Sequence, residues 1–462
     1  MDPMPTQFDP PSGTRDFLAA EFEARERAFA TIRSVFSLYG FEPLQTPAFE
    51  RLDVLLGKYG DDGDKLIFKI LRRGEHEASG EADLALRYDM TVPLARVAAA
   101  YGSQLPVPYK RFAIGPVWRA DRPGKGRYRE FTQCDLDILG SASPLADAEI
   151  ICAVHDVLSE LGVGGFSIQL NSRQVLTGLL SVFGVPAELG AGVLITLDKL
   201  DKLPADEVIA ELAARGLAPG AAAELVAVVA APDAGSQVAS ALKGSDQGTA
   251  GLDEVRRILD LAAPLLPPER VGFSPRLVRG LSYYTGPIWE VTAAAVPGSL
   301  AGGGRYDHLI EQLGGPDVPA AGGSLGIERI LLMLPGSGTE RRARLDVAVP
   351  VLSEDLAARS FALAAAARAV PLRAGVYLGS SGKLGRQLKW AGDQRARWAL
   401  ICGPAEARAG TVTVRDMVSG EQTAVPAGDI GRHLAQAAAS LAPADAGEAA
   451  VRDGTDTAAG RA

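Results

Sequence analysis

The stretch GRYREFTQCDLDILG, residues 126–140, constrains the fold of this chain more than any other. If it is extended, successive side chains fall on opposite faces. Arg127, Arg129, Phe131, Gln133, Asp135 and Asp137 then share one side, and Cys134, Leu136 and Ile138 the other. The second face is apolar and needs a core to cover it, while the first is a row of cations, an aromatic ring, an amide and two carboxylates. Upstream, the chain from Tyr109 reads as another strand, and the intervening loop holds Pro123, Gly124 and Gly126. The expected unit is a β-hairpin with a long tip.

The same segment RADRPGKGRYREF, residues 119–131, packs four arginines and a lysine into a chain whose formal net charge is -9. Such a row suits a ligand with phosphate, a flat ring and a positively charged or hydrogen-bonding end. A nucleotide together with an amino acid has that make-up. The plainer alternative is a solvated outer strand whose arginines pair with Glu130, Asp121 and Asp135. Two glycines after a proline-initiated turn favour a loop that must move or admit a partner's backbone.

At 462 residues the chain is expected to form several domains. Three cysteines and four histidines lie far apart without metal-ligand spacing, so a disulfide framework or zinc site is not expected. No run approaches the ~18 apolar residues of a membrane span, and the start MDPMPTQFDPPSG has no signal-peptide pattern. A soluble, cytoplasmic protein without a membrane partner is expected. Phe22, Phe29, Ile32, Phe36 and Tyr39 recur at helical spacing, before a short extended run in GFEPLQTPAFE. Residues 174–265 are rich in Ala, Leu and Val with interspersed charges, and read as a helical insertion. SYYTGPIWEV resumes strand character, and GGGRYDHLI and GGSLGIERILLML each run from glycines into a helical pattern. Beyond a linker at 336–344, LDVAVPV, RAGVYL, WALICG and TVTVRD alternate with helical stretches, as in a small α/β domain over 345–432. The tail, 433–462, starts as a helix and is expected to be mostly disordered.

Several short segments could carry chemistry. Asp89 and Thr91 in LRYDMTVPLAR could hold an ammonium group or could cap the helix that follows. Tyr283 and Tyr284, downstream of Arg279, could be ligand groups or rim packing. Arg329 falls in the first turn of a helix, where the helix dipole disfavours a cation unless an anion is near. GGGRYDHL lacks the GxxxxGK[ST] pattern, and no dinucleotide fingerprint is present.

Taken in order over roughly residues 10–432, these segments resemble the histidyl-tRNA synthetases, a class II aminoacyl-tRNA synthetase family. PSGTRDF and GFEPLQTPAFE resemble the N-terminal segment and motif 1, WRADRPGKGRYREFTQCDLDILG motif 2, and GGSLGIERI motif 3. RGLSYYTG and GGGRYD resemble the two histidine-binding signatures and are the most specific part. The resemblance implies an α+β fold. An antiparallel-sheet catalytic core over 1–335 would carry the helical insertion, followed by a C-terminal α/β anticodon-binding domain. It also implies a homodimer, a reaction that joins histidine to histidine tRNA through histidyl-adenylate, and ATP accompanied by Mg2+.

Carried over residue by residue, the resemblance assigns Arg119 to the α-phosphate, Phe131 to adenine, Arg329 to the far phosphates and Arg127 to the phosphate region. Arg279 corresponds to the catalytic arginine, and Asp89, Thr91 and Gln133 to the groups around the amino and carboxylate ends of histidine. Asp137 and Tyr284 correspond to the pair that reads the imidazole nitrogens, with Tyr283 beside them. Arg373, Lys383, Arg386, Lys389, Arg395 and Arg397 form a second basic cluster suited to the anticodon arm. Ser282 stands where the family usually has Asp. The rival is the synthetase-like regulatory subunit of ATP phosphoribosyltransferase, which shares the core. It typically lacks the anticodon-binding domain and has eroded motif 2 residues, whereas Arg119, Phe131, Gln133 and Arg329 are all present here.

Overall fold

The computed structural model describes residues 8–74, 79–124, 126–201, 203–231, 233–278, 283–334 and 344–440. The chain divides into two compact units, Met1–Thr339 and Glu340–Ala462. The first begins with helix α1 (Ala19–Leu38), strands β1 (Glu42–Pro43) and β2 (Phe49–Arg51), and short helices α2 (Leu52–Leu55) and α3 (Gly60–Asp64). Strands β3 (Lys69–Leu71) and β4 (Ala82–Leu86) lead to helix α4 (Thr91–Tyr101), and the hairpin β5 (Tyr109–Trp118) and β6 (Glu130–Leu139) to helix α5 (Pro144–Glu160) and strand β7 (Phe166–Ser172).

Six helices then form the insertion: α6 (Arg173–Val182), α7 (Ala187–Leu197), α8 (Ala205–Ala214), α9 (Pro219–Ala230), α10 (Ala234–Ala241) and α11 (Asp246–Ala262). The unit closes with strands β8 (Val271–Phe273), β9 (Pro287–Ala293), β10 (Val296–Arg305) and β11 (Ala320–Gly326) and helix α12 (Ile327–Ile330). The main sheet has the order β1-β5-β6-β11-β10-β9-β7-β8 and is antiparallel except for the outer pairs β1/β5 and β7/β8.

The apolar side of β6 explains which face is covered. Cys134, Leu136 and Ile138 are buried in one core with Ile32 and Phe36 of α1 and with Ile150, Ile151, Val154 and Leu158 of α5. Each fully buried Ile, Leu or Phe contributes roughly 1.5–3 kcal/mol, so the α1/α5 layer commits that face and the ligand-type row faces away from it. The solvated outer strand is thereby excluded, because β6 lies inside the sheet between β5 and β11. The insertion has a separate core of Leu and Val side chains, including Leu179, Val193, Leu212, Leu225 and Val238. Among the described residues no single helix is long and apolar enough to cross a membrane.

The second unit carries β12 (Val347–Val349), α13 (Ala357–Arg368), β13 (Ala374–Val376), α14 (Leu384–Asp393), β14 (Trp398–Ile401), α15 (Pro404–Ala409), β15 (Thr411–Asp416), β16 (Gln422–Pro426) and α16 (Ile430–Ala439). Its five-stranded sheet runs β13-β12-β14-β15-β16, parallel over the first three strands and antiparallel over the rest. Most of the expected linker, and the tail beyond residue 440, lie outside the described residues. Within them, the start of that tail is helical as part of α16.

Candidate active site

The site is built on the uncovered face of the sheet, where strand register sets its rows. Gln133 stands between Gly115 and Gly326, Asp135 between Ala113 and Ser324, and Asp137 between Arg111 and Gly322. Apart from Arg111 these neighbours are small and leave room above Gln133 and Asp135. A Cβ on Gly322 would lie 2.0 Å from Asp137 Oδ1, so the space there is already spoken for by the carboxylate. This revises the reading of the two glycine runs. Gly302–Gly304 lie inside β10, and Gly322, Gly323 and Gly326 inside β11. They clear a floor in the sheet, and neither run is a phosphate-binding loop ahead of a helix.

Above this floor is a cavity of about 220 Å³ lined by Asp89, Thr91, Arg119, Phe131, Gln133, Tyr283, Tyr284 and Arg329. These eight expected residues, scattered over 241 positions from 89 to 329, therefore converge. One end is cationic. The Arg119 guanidinium lies 4.3 Å from the Tyr88 ring centroid and 5.2 Å from that of Phe131, and its Nε donates to the Tyr88 carbonyl at 3.1 Å. Arg329 Nη1 donates to the Ser299 carbonyl at 2.8 Å. A second cavity of about 460 Å³ shares Arg119, Phe131 and Arg329 and adds Arg127, which pairs with Asp121 at 2.7 Å.

The other end is acidic and buried. Asp89, Asp135 and Asp137 are each 1% exposed. Asp89 accepts from the Tyr59 hydroxyl at 3.1 Å, the Tyr283 hydroxyl at 3.5 Å and the Val92 N–H at 3.0 Å. Asp89 satisfies a donor at the start of α4, as its capping role requires, and it also lines the cavity. Asp137 forms an ion pair with Arg111 at 2.9 Å and accepts from the Tyr306 hydroxyl. Its carboxylate fills the space over Gly322 on this same face, behind Tyr306, and does not itself line the cavity, in contrast to Tyr284, with which the resemblance pairs it. Asp135 has opposite it in the neighbouring strand Ser324, whose hydroxyl favours its charged form, but it forms no ion pair among the described residues. Gln133 Nε2 donates to Ser324 Oγ at 3.0 Å.

Burial raises the pKa of all three acids; the rise is opposed chiefly by the Val92 N–H and Arg119 at Asp89, and by Arg111 at Asp135 and Asp137. For Asp135 the result is about 7 against an ordinary 3.8. Burial works against the charge of Arg111, but Asp137 and Asp135 beside it outweigh burial and hold it positive. Burial likewise pushes Tyr283, Tyr284 and Tyr306 up, leaving them neutral phenols that can donate hydrogen bonds. Three buried carboxyl groups thus face one directly paired arginine, an arrangement that favours a cationic ligand.

The Asp135 titration has a consequence for stability. A carboxyl whose folded pKa is raised stabilises the fold fully below its unfolded value, and that contribution is lost as the pH rises towards about 7. Asp135→Asn removes the titration. The variant should match the parent near pH 4 and exceed it at pH 8 by at least about 1 kcal/mol, because one pH unit of displaced titration is worth about 1.4 kcal/mol. Urea unfolding of parent and variant at the two pH values checks this, and a margin over the parent no larger at pH 8 than at pH 4 would contradict it.

Arg111, Tyr59, Tyr306 and Ser324 were not singled out in the sequence. Arg111 had a signal, as the second of two adjacent cations, Lys110 and Arg111, on opposite faces of the otherwise apolar strand YKRFAIGPVW, and Tyr306 stood inside the GGGRYD signature. Arg279, Ser282 and the hairpin-tip Lys125 lie outside the described residues.

An antiparallel sheet of this order, interrupted by a helical insertion and followed by a small α/β unit, defines a class II aminoacyl-tRNA synthetase architecture. Residues 13–330 match the family profile described as histidyl-tRNA synthetase, and residues 346–436 one described as anticodon binding domain. A protein of Gloeobacter violaceus described as histidine–tRNA ligase is 38% identical over 456 residues, covering 92% of this chain and 97% of its own length. The crystal structure of histidyl-tRNA synthetase from Nostoc sp. PCC 7120 superposes with a TM-score of 0.76 at 28% identity, covering 94% of this chain and 100% of that one. A structure from Bacillus halodurans described as an ATP phosphoribosyltransferase regulatory subunit/histidyl-tRNA synthetase has a TM-score of 0.70 at 20% identity, covering 86% and 99%, and so shares the fold. The chain belongs to the histidyl-tRNA synthetase family.

Proposed function

We propose that this chain is a histidine–tRNA ligase that forms histidyl-adenylate from L-histidine and ATP, then transfers the histidyl group to the 3′ end of histidine tRNA. The observation that carries the reading is the make-up of the 220 Å³ cavity, in which the cations Arg119 and Arg329 line the same space as Asp89 and neutral tyrosines. Phosphate and ammonium groups would both find partners in one site. ATP enters as its Mg2+ complex, with the adenine on Phe131, the α-phosphate at Arg119 and the outer phosphates at Arg329, near Arg127. Asp89, Thr91 and Gln133 hold the amino and carboxylate ends of histidine. Tyr284, beside Tyr283, meets the imidazole, and Asp137 supplies negative potential from behind Tyr306.

In the first step a histidine carboxylate oxygen attacks the α-phosphorus. The new P–O bond replaces the bond to the β-phosphate, and pyrophosphate leaves. Arg119, joined by Arg279, stabilises the charge growing on the α-phosphate oxygens. In the second unit, Arg373 is held by Asp346 at 2.8 Å and Arg397 by Asp416 at 2.5 Å. Lys383, Arg386 and Lys389 stand exposed at three-residue spacing on α14 and its N-cap, and are the better candidates for anticodon-arm phosphates, ahead of Arg395. A cytoplasmic homodimer completes the reading.

The test is ATP–pyrophosphate exchange by the purified chain with histidine added or withheld. Exchange that requires histidine supports the ligase. Histidine binding by a folded protein without exchange would instead indicate a regulatory subunit of ATP phosphoribosyltransferase, whose fold this chain shares.

A further inference from the structure

The N-terminal segment PSGTRDF docks on the hairpin by contacts that the reaction does not itself use. Gly13, at φ +85°, turns its carbonyl to accept the N–H groups of Arg129 at 2.7 Å and Glu130 at 3.3 Å. Arg129 Nη1 donates to the Ser12 carbonyl at 3.3 Å. A Cβ on Gly13 would sit 2.7 Å from Arg129 Cγ, so the close approach requires glycine.

Two residues on, the Arg15 guanidinium lies 3.7 Å from the centroid of the Tyr128 ring and pairs with Glu328, the residue before Arg329. Glu328 is buried and already has a cation. Arg25 Nη1 donates to both of its oxygens at 3.0 and 2.9 Å, and the Thr132 N–H donates at 3.3 Å. Arg25 also reaches Thr132 Oγ1 at 3.1 Å. A carboxylate so supplied does not need Arg15 for neutralisation. What Arg15 adds is a bridge from the hairpin to α12 along one wall of the 460 Å³ cavity, which Tyr128, Glu328 and Arg329 line.

We propose that Arg15 is a positioning residue that clamps the hairpin limb at Tyr128 against Glu328, and so sets the distance between the two ends of the nucleotide site, Arg119 with Phe131 and Arg329. It touches no reacting group. The inference rests on the ATP-binding reading of this cavity given above.

In histidine-dependent exchange, Arg15→Ala should raise the KM for ATP by about tenfold, the scale of one lost cation–π and ion-pair contact. The KM for histidine should stay within about twofold, as its groups lie at the other end of the cavity. Arg15→Lys keeps a charge for Glu328 but not a planar stack on Tyr128, and should recover only part of the loss. Tyr128→Ala should mimic Arg15→Ala, and the double variant should be no worse than either. An activity-independent readout is trypsin cleavage of the full chain after Arg127 or Arg129, expected to be several-fold faster in Arg15→Ala. Unchanged ATP KM and cleavage would overturn the proposal, as would equal rises in both KM values with a lowered melting temperature. If the unmodified chain shows no exchange, the ligase reading fails, while the cleavage comparison still decides whether Arg15 holds the hairpin.

Discussion

Arg119→Ala should lower histidine-dependent ATP–pyrophosphate exchange by about 10²–10³-fold, the usual cost of removing a preorganised donor from a developing charge. The geometry argues for a loss in kcat. Arg119 is held between the Tyr88 and Phe131 rings and tied by Nε to the Tyr88 carbonyl, so its remaining nitrogens are oriented before any nucleotide arrives. A group placed in advance stabilises charge without reorganising during the reaction. Arg119→Lys keeps the charge but loses the planar stack, and should still fall by more than about tenfold. Because the residue is half-buried beyond the end of β5, the melting temperature should change little. Steady-state exchange with both substrates varied checks the split, and a loss below about fivefold in the alanine variant would remove Arg119 from the chemistry.

Arg111→Met should destabilise the first unit by about 3–5 kcal/mol, the cost of leaving a buried carboxylate without its cation. Arg111 is fully buried, pairs with Asp137 and donates from Nη2 to the Met90 carbonyl at 3.1 Å. Removing it deprives both Asp137 and Asp135 of the charge that opposes their protonation. Their folded pKa values would rise further, so the deficit should shrink as the pH falls from about 8 to about 5. The double variant Arg111→Met/Asp137→Asn should regain much of the loss, because the uncompensated charge is gone. Urea unfolding at both pH values distinguishes this from simple loss of packing, which would leave the deficit independent of pH.

The alternation through residues 126–140 identified both the hairpin and the face that carries the ligand-type groups, because a strand's period of two follows from local geometry. The Ala- and Leu-rich insertion and the small α/β domain were legible for the same reason, since helical and strand periodicity are properties of neighbouring residues. The convergence of Asp89, Arg119, Tyr284 and Arg329 was available only through resemblance to a family. Nothing in their spacing specifies contact, since strand order is a long-range property.

Charge state and occupancy were decided by tertiary structure alone. The row Gln133, Asp135, Asp137 could have belonged to a solvated edge. Placing β6 between β5 and β11 put Arg111 beside Asp137, set Asp135 against Ser324 outside any ion pair among the described residues, and filled the space over Gly322 with the Asp137 carboxylate. The attachment of PSGTRDF to the hairpin was equally silent in the sequence, because Arg15 and Glu328 are 313 positions apart. Local periodicity can assign a side chain to a face, but only the packing of distant strands determines whether that face sees water, and with it the protonation and pairing of every acid on it.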